Sequence, residues 1–181
     1  IESGAYKNVI VVGADKMSSI TDYTDRSTCI LFGDAAGAIL LQANDQGFGL
    51  QDSWMRVDGV GAEFLHMKGG GSKNPPTHET VDKKWHYLFQ DGKPVFKAAV
   101  KGMAEAVNEI LKRNNLSPDD IRFVVPHQAN LRIIQAVADY LKFPMERVMV
   151  NIQKYGNTTS ATIPLCLWEW KHEINKGDLI V

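Results

Sequence analysis

The sequence predicts an α/β fold with parallel strand pairing, and three observations carry that expectation. From Ile121 onward, short β-branched runs alternate with amphipathic stretches in the order strand, helix, strand, helix, strand, a pattern that implies right-handed crossovers. Upstream of them, Val95, Ala99, Met103, Ala106, Val107, Ile110 and Leu111 recur close to the helical period. Two polar motifs, one beginning at His127 and one centred on Asn157, each follow a predicted strand and precede a predicted helix. In parallel sheets ligands gather at that end of the strands.

Taken in order, residues 1–8 read as a helix end stopped by Gly4, and Asn8 to Val12 is a β-branched strand. Cys29 to Phe32 and Ala38 to Leu41 are two further strand candidates, with Gly33 to Gly37 as a tight turn between them. Gly47 to Trp54 could add a strand, while Lys68 to Lys84, with Gly69-Gly70-Gly71 and Pro75-Pro76, reads as a loop. The helix from Val95 runs to about Asn114. Ser117 then offers an N-cap and Pro118 a first helical position, enough for one turn before a strand at Ile121 to Val125. A helix at about Asn130 to Lys142, a short strand at Val148 to Asn151 and a helix at Ser160 to Asn175 follow. The last residues, Lys176 to Val181, read as the start of a strand, where a domain seldom stops, so a piece of a longer protein is expected.

Composition removes several function classes. With 44% hydrophobic and 23% charged residues among 181, the chain can bury a sizeable core. A net charge of -1 without like-charge blocks argues against a nucleic-acid surface. No apolar run, the longest resembling Ala35 to Leu41, approaches the roughly 18 residues of a membrane span. Cys29 and Cys166 are isolated in apolar surroundings and read as buried structural thiols in a reducing cytoplasm. His66, His78, His86 and His172 form no paired metal-ligand spacing, so no metal site is expected. The Gly33 to Gly37 stretch lacks the ending of a phosphate loop.

What is left is His127 and Asn157. An imidazole N–H and an amide NH2 are both donors near neutral pH, and two donors aimed at one point suit a carbonyl oxygen that gains negative charge. That pattern points to acyl or enolate chemistry. Each residue also has an ordinary reading, His127 as a loop histidine and Asn157 as a turn residue after Gly156. No nucleophile accompanies them.

Val125-Pro126-His127-Gln128-Ala129-Asn130-Leu131-Arg132-Ile133-Ile134, Tyr155-Gly156-Asn157-Thr158-Thr159-Ser160-Ala161 and the stretch Asp25-Arg26-Ser27-Thr28-Cys29-Ile30-Leu31-Phe32-Gly33-Asp34-Ala35-Ala36-Gly37-Ala38 resemble the β-ketoacyl-acyl-carrier-protein synthase III family. The likeness runs from end to end. It implies a thiolase-like layered α/β/α/β/α fold, incomplete here at both ends, with residues 1–90 closing the first half and 91–181 forming most of the second. It also implies a homodimer and a decarboxylative condensation of an acyl-CoA primer, acetyl-CoA first among them, with malonyl-carrier protein. No permanently bound cofactor is implied.

The resemblance gives His127 and Asn157 the family's catalytic positions, donating to the malonyl thioester oxygen. Arg26 resembles the arginine that meets the coenzyme A adenine. Gly92, Ala129 and Asn130 fall where the pantetheine arm is contacted, and Leu31 and Phe96 where the acyl tunnel is lined. Lys97 and Arg132 resemble the basic positions that receive the acidic carrier protein. The family's nucleophilic cysteine is expected before Ile1, which would leave these residues inactive alone, and the Asn-Thr-Thr-Ser motif departs from the commoner Asn-Thr-Ser. Two alternatives stand beside this reading: a relative that primes polyketide or quinolone synthesis, and a non-catalytic partner subunit.

Overall fold

The computed structural model describes residues 1–181. Strand β1 (Asn8–Asp15) pairs antiparallel with β2 (Ala35–Gln42) in continuous register, from Asn8 opposite Gln42 to Asp15 opposite Ala35. A second antiparallel pair joins β3 (Leu65–Met67) to β4 (Leu88–Gln90). Between these two lies α1 (His78–Asp82), and after them the long α2 (Gly92–Arg113). Strand β5 (Ile121–Phe123) runs parallel to β6 (Leu179–Ile180), with α3 (Leu131–Leu141), α4 (Ile152–Tyr155) and α5 (Thr162–Trp170) between them. No helix is long and apolar enough to cross a membrane.

The core gathers where α2 packs on α3. Ala104, Val107 and Leu111 of α2 meet Ile133, Ile134, Val137, Ala138 and Leu141 of α3, and Ile121, Val124, Phe143 and Val148 close the cluster. Each fully buried aliphatic side chain there contributes about 1.5–3 kcal/mol. Both helices end the same way. Asn115 and Lys142 take left-handed backbones, with φ of 54° and 59°, and the next amide, Leu116 or Phe143, reaches the carbonyl five residues back at 2.9 Å. That closure satisfies end carbonyls and turns Leu116 and Phe143 back onto the core.

Parallel pairing in the second half is as expected, but the strands are short. Beyond β5, Val124 pairs with Val148 as a single parallel bridge, so the expected strand at Val148 to Asn151 shrinks to that contact. The helix expected over Ser160 to Asn175 begins at Thr162, after a 3-10 turn at Thr159–Ala161, and ends at Trp170. The Lys68 to Lys84 loop contains α1, capped by Thr77, whose hydroxyl accepts from Thr80 N. No strand forms over Gly47 to Trp54, where Gly47 and Gly49 have φ of 78° and 114°.

The larger correction concerns Cys29 to Phe32, where Cys29 to Leu31 form a turn and Phe32 makes a single bridge in place of a strand. Asp25 decides this locally: its carboxylate accepts from Ser27 N, Ser27 Oγ and Thr28 Oγ1, and its carbonyl from Cys29 N. Such side-chain-to-backbone bonds compete with a strand ladder. Cys29 is consequently half-buried on a turn, not sequestered in a strand, whereas Cys166 is fully buried as expected. Nor is Gly33 to Gly37 a simple turn, since β2 already starts at Ala35.

Gly37 pairs with Gly13 of β1 for a different reason. A Cβ on Gly13 would lie 2.4 Å from Ser160 O, and one on Gly37 2.8 Å from Pro164 Cγ. The two glycines open a slot on the sheet into which the start of α5 settles.

Candidate active site

His127 follows β5 by way of Val124, Val125 and Pro126, and its carbonyl accepts from Ala129 N at 2.8 Å in a tight turn. The next residue does the anchoring. Gln128 is fully buried; its Nε2 donates to Pro126 O at 2.9 Å and Met149 O at 3.1 Å, while Oε1 accepts from Asn151 N at 3.0 Å and Ile152 N at 3.2 Å. Both amide hydrogens and both carbonyl lone pairs are thereby used. One side chain thus straps the His127 loop to the segment that leads into Asn157.

Asn157 is held from the other side. Its N–H donates to Leu31 O at 2.8 Å and its carbonyl accepts from Gly33 N at 3.0 Å, a parallel bridge to Phe32. Its side-chain Oδ1 accepts from Thr159 N at 2.9 Å, which orients the amide and leaves the Nδ2 hydrogens without a protein acceptor. The same turn is pinned by Asp15, at the end of β1, whose carboxylate accepts from Thr159 Oγ1, Ser160 Oγ and Ser160 N. Those bonds, from Ser160 first, hold the Asp15 carboxyl below the usual carboxylate range. They also hold Thr159 at φ 49°, a left-handed backbone uncommon for threonine.

The two loops meet through hydroxyl groups. His127 Nδ1 lies 2.7 Å from Thr162 Oγ1, and Thr162 in turn donates to Thr159 O at 2.8 Å. Burial pushes the imidazole pKa below its ordinary value, so the ring is neutral at pH 7. Burial also drives the Cys166 thiol up to about 12, which removes it as a nucleophile at neutral pH. No group of three His, Cys, Asp or Glu side chains is placed to hold a metal ion.

The other residues singled out from sequence are distributed more loosely. Leu31 touches the site directly through its carbonyl, and Ala129 and Asn130 lie on the His127 loop. Asn130 also has a structural task, since its side chain caps α3 by accepting from Arg132 N at 2.9 Å. Phe96 and Ala129 both pack against the α2–α3 core, and Gly92 opens α2. Arg26, Lys97 and Arg132 are exposed, and no ion pair or hydrogen bond of their side chains links them to His127 or Asn157. Gln128, Thr162 and Asp15 were not apparent as site residues from sequence. Gln128 is the one with an available signal, because a glutamine beside a candidate histidine on a strand-to-helix loop is a natural strap.

Known proteins similar to this chain match it along most of its length. Residues 1–59 match the model of 3-oxoacyl-[acyl-carrier-protein (ACP)] synthase III, and residues 111–181 match that of its C-terminal region. A curated β-ketoacyl-[acyl-carrier-protein] synthase III from Porphyromonas gingivalis is 56% identical over 181 residues, covering 100% of this chain and 54% of the relative. The chain belongs to the 3-oxoacyl-[acyl-carrier-protein] synthase III family.

A second synthase III relative, from Bacteroides thetaiotaomicron, is 52% identical over 181 residues, again 54% of its length. Among solved structures, the synthase III of Aquifex aeolicus VF5 superposes with a TM-score of 0.87 at 40% identity, covering 99% of this chain and 54% of that one. The priming β-ketosynthase of the R1128 polyketide pathway gives a TM-score of 0.80 at 35% identity, covering 97% and 51%. The fold is therefore thiolase-like, and the chain spans about half the length of the synthase III relatives it matches. His127 and Asn157 fall in the C-terminal match and Arg26 and Leu31 in the first. Gly92, Phe96 and Lys97 lie in the stretch between the two matched regions.

Proposed function

We propose that the full-length protein starts fatty-acid synthesis by condensing an acyl-CoA primer, acetyl-CoA first among them, with malonyl-carrier protein. Residues 1–90 would close one thiolase-like half and 91–181 form most of the other, in a cytoplasmic homodimer. On this reading His127 and Asn157 hydrogen-bond the malonyl thioester oxygen while CO2 leaves and enolate charge accumulates. The enolate carbon then attacks the acyl group held as a thioester on a cysteine outside these residues. Arg26 would stack on the coenzyme A adenine, Gly92, Ala129 and Asn130 would line the pantetheine arm, and Leu31 and Phe96 the acyl channel. Lys97 and Arg132 would meet the acidic carrier protein, steering encounter more than affinity.

The observation that carries this reading is the unspent bonding capacity of the pair. Gln128 and the Phe32 bridge fix both backbones, Thr159 N fixes the Asn157 amide, and its Nδ2 hydrogens are left for a ligand. A preorganised donor of this kind is worth about 10²–10³ in turnover. In the full-length protein, His127→Ala and Asn157→Ala should each lower condensation of acetyl-CoA with malonyl-carrier protein by about that factor. Transfer of the acetyl group to the enzyme should persist in both. Unchanged condensation by either variant would sink the assignment.

The 35% identity to the R1128 priming ketosynthase favours one second reading, the same chemistry with a polyketide primer. Comparing turnover of acetyl-CoA with that of longer acyl-CoA primers distinguishes the two.

A further inference from the structure

We infer that Thr162 is a positioning residue that fixes neutral His127 as its Nδ1–H tautomer, leaving Nε2 as a bare acceptor in the resting protein. A count of protons leads there. Thr162 Oγ1 has two close partners, Thr159 O at 2.8 Å and His127 Nδ1 at 2.7 Å. A hydroxyl carries one hydrogen, and a backbone carbonyl carries none. Both contacts are hydrogen bonds only if Thr162 donates to Thr159 O and accepts from His127 Nδ1–H. The reverse assignment, with Thr162 donating to Nδ1, sets two acceptor oxygens against each other at 2.8 Å. Thr162 is 2% exposed, so water cannot relieve that clash.

The carbonyl that orients Thr162 is itself fixed. Asp15 grips Thr159 and Ser160 through three donors, and Thr159 keeps its left-handed backbone as a result. The chain of control runs from a carboxylate at the end of β1, through the Asn157 turn, to the protonation pattern of a ring on another loop.

This deepens the proposed function and rests on it for its chemical consequence, though not for the tautomer itself. With its hydrogen on Nδ1, neutral His127 offers a thioester oxygen only a lone pair. Asn157 Nδ2 is then the standing donor. His127 joins it only when Nε2 takes one proton from the buffer, so that Nδ1–H stays on Thr162 and Nε2–H points at the enolate. A cationic donor makes a hydrogen bond about twice as strong as a neutral one, and it appears where negative charge develops.

The test is the ¹⁵N spectrum of the imidazole nitrogens in full-length protein labelled at histidine, with the His127 signals assigned by their loss in His127→Ala. The expected wild-type pattern at neutral pH is a protonated Nδ1 and an unprotonated Nε2. Thr162→Val should exchange that pattern for the Nε2–H form, and Thr162→Ser should restore it. A stable analogue that carries the enolate's negative charge at the thioester oxygen should bring both nitrogens to the protonated shift. A wild-type ring protonated on Nε2 alone would overturn the inference, as would a Thr162→Val spectrum identical to wild type, and a ring that stays singly protonated with the analogue would overturn the cationic donor. If the valine variant does not fold, the wild-type spectrum still decides the tautomer. Full condensation activity in His127→Ala together with an Nδ1–H spectrum would defeat the proposed function and leave the tautomer standing.

Discussion

At the scale of single residues, the site is a set of side chains whose hydrogen-bonding capacity is used up on one side and open on the other. Gln128 is the extreme case, with four bonds and no exposure. Gln128→Leu keeps the volume but strands Pro126 O, Met149 O and Asn151 N, along with the part-buried Ile152 N, and each buried group left unpaired costs about 1–3 kcal/mol. We expect a loss of at least about 2 kcal/mol in denaturant unfolding, with weaker condensation because the two loops lose their strap. His127 has a pH signature of its own. Burial lowers its pKa below the ordinary 6.5, so the folded state binds fewer protons there than the unfolded chain. The stability this ring contributes is complete above the unfolded pKa and is lost as pH falls through the folded one. An NMR titration of His127 in the full-length protein should give a midpoint below 6.5, and a midpoint at or above that value would contradict the burial argument.

Among elements, the two glycines facing each other across β1 and β2 place the Asn157 turn. Gly13→Ala would put a methyl 2.4 Å from Ser160 O, a backbone atom that cannot rotate away. Overpacking of this sort typically costs about 1–3 kcal/mol, and here it pushes directly on the turn that Asp15 holds. Gly102, inside α2, has nothing within 4 Å of the place a methyl group would occupy. Gly102→Ala should therefore stabilise by about 0.5–1 kcal/mol and leave condensation unchanged. Opposite shifts in melting temperature for these two substitutions check the distinction between glycine for close approach and glycine by circumstance. Helices were the most legible elements, because α2 and α3 carry their apolar faces as a repeat within one segment. The strand expected at Cys29 to Phe32 failed because Asp25 bonds locally, and apolar content alone does not register that competition.

For the molecule as a whole, the exposed apolar face of the first sheet is the dominant feature. Ile10, Val12 and Leu40 are 64%, 63% and 57% exposed, beside a well-packed α2–α3 core. Residues 1–181 expressed alone should bind a hydrophobic dye and scatter light as aggregates at micromolar concentration, while full-length protein does neither. A monodisperse 181-residue product without dye binding would contradict this. The α/β class and the main helices could be read from residue order, and His127 and Asn157 could be picked out there as candidates, because periodicity and strand-to-helix position are properties of neighbouring residues. The convergence of the site could not. Asp15 meets Ser160 across 145 positions and His127 meets Thr162 across 35, and nothing local records which distant partner a hydroxyl or carboxylate will find. Tertiary packing alone brings those groups within hydrogen-bond range, and with them decides which nitrogen of His127 holds its proton.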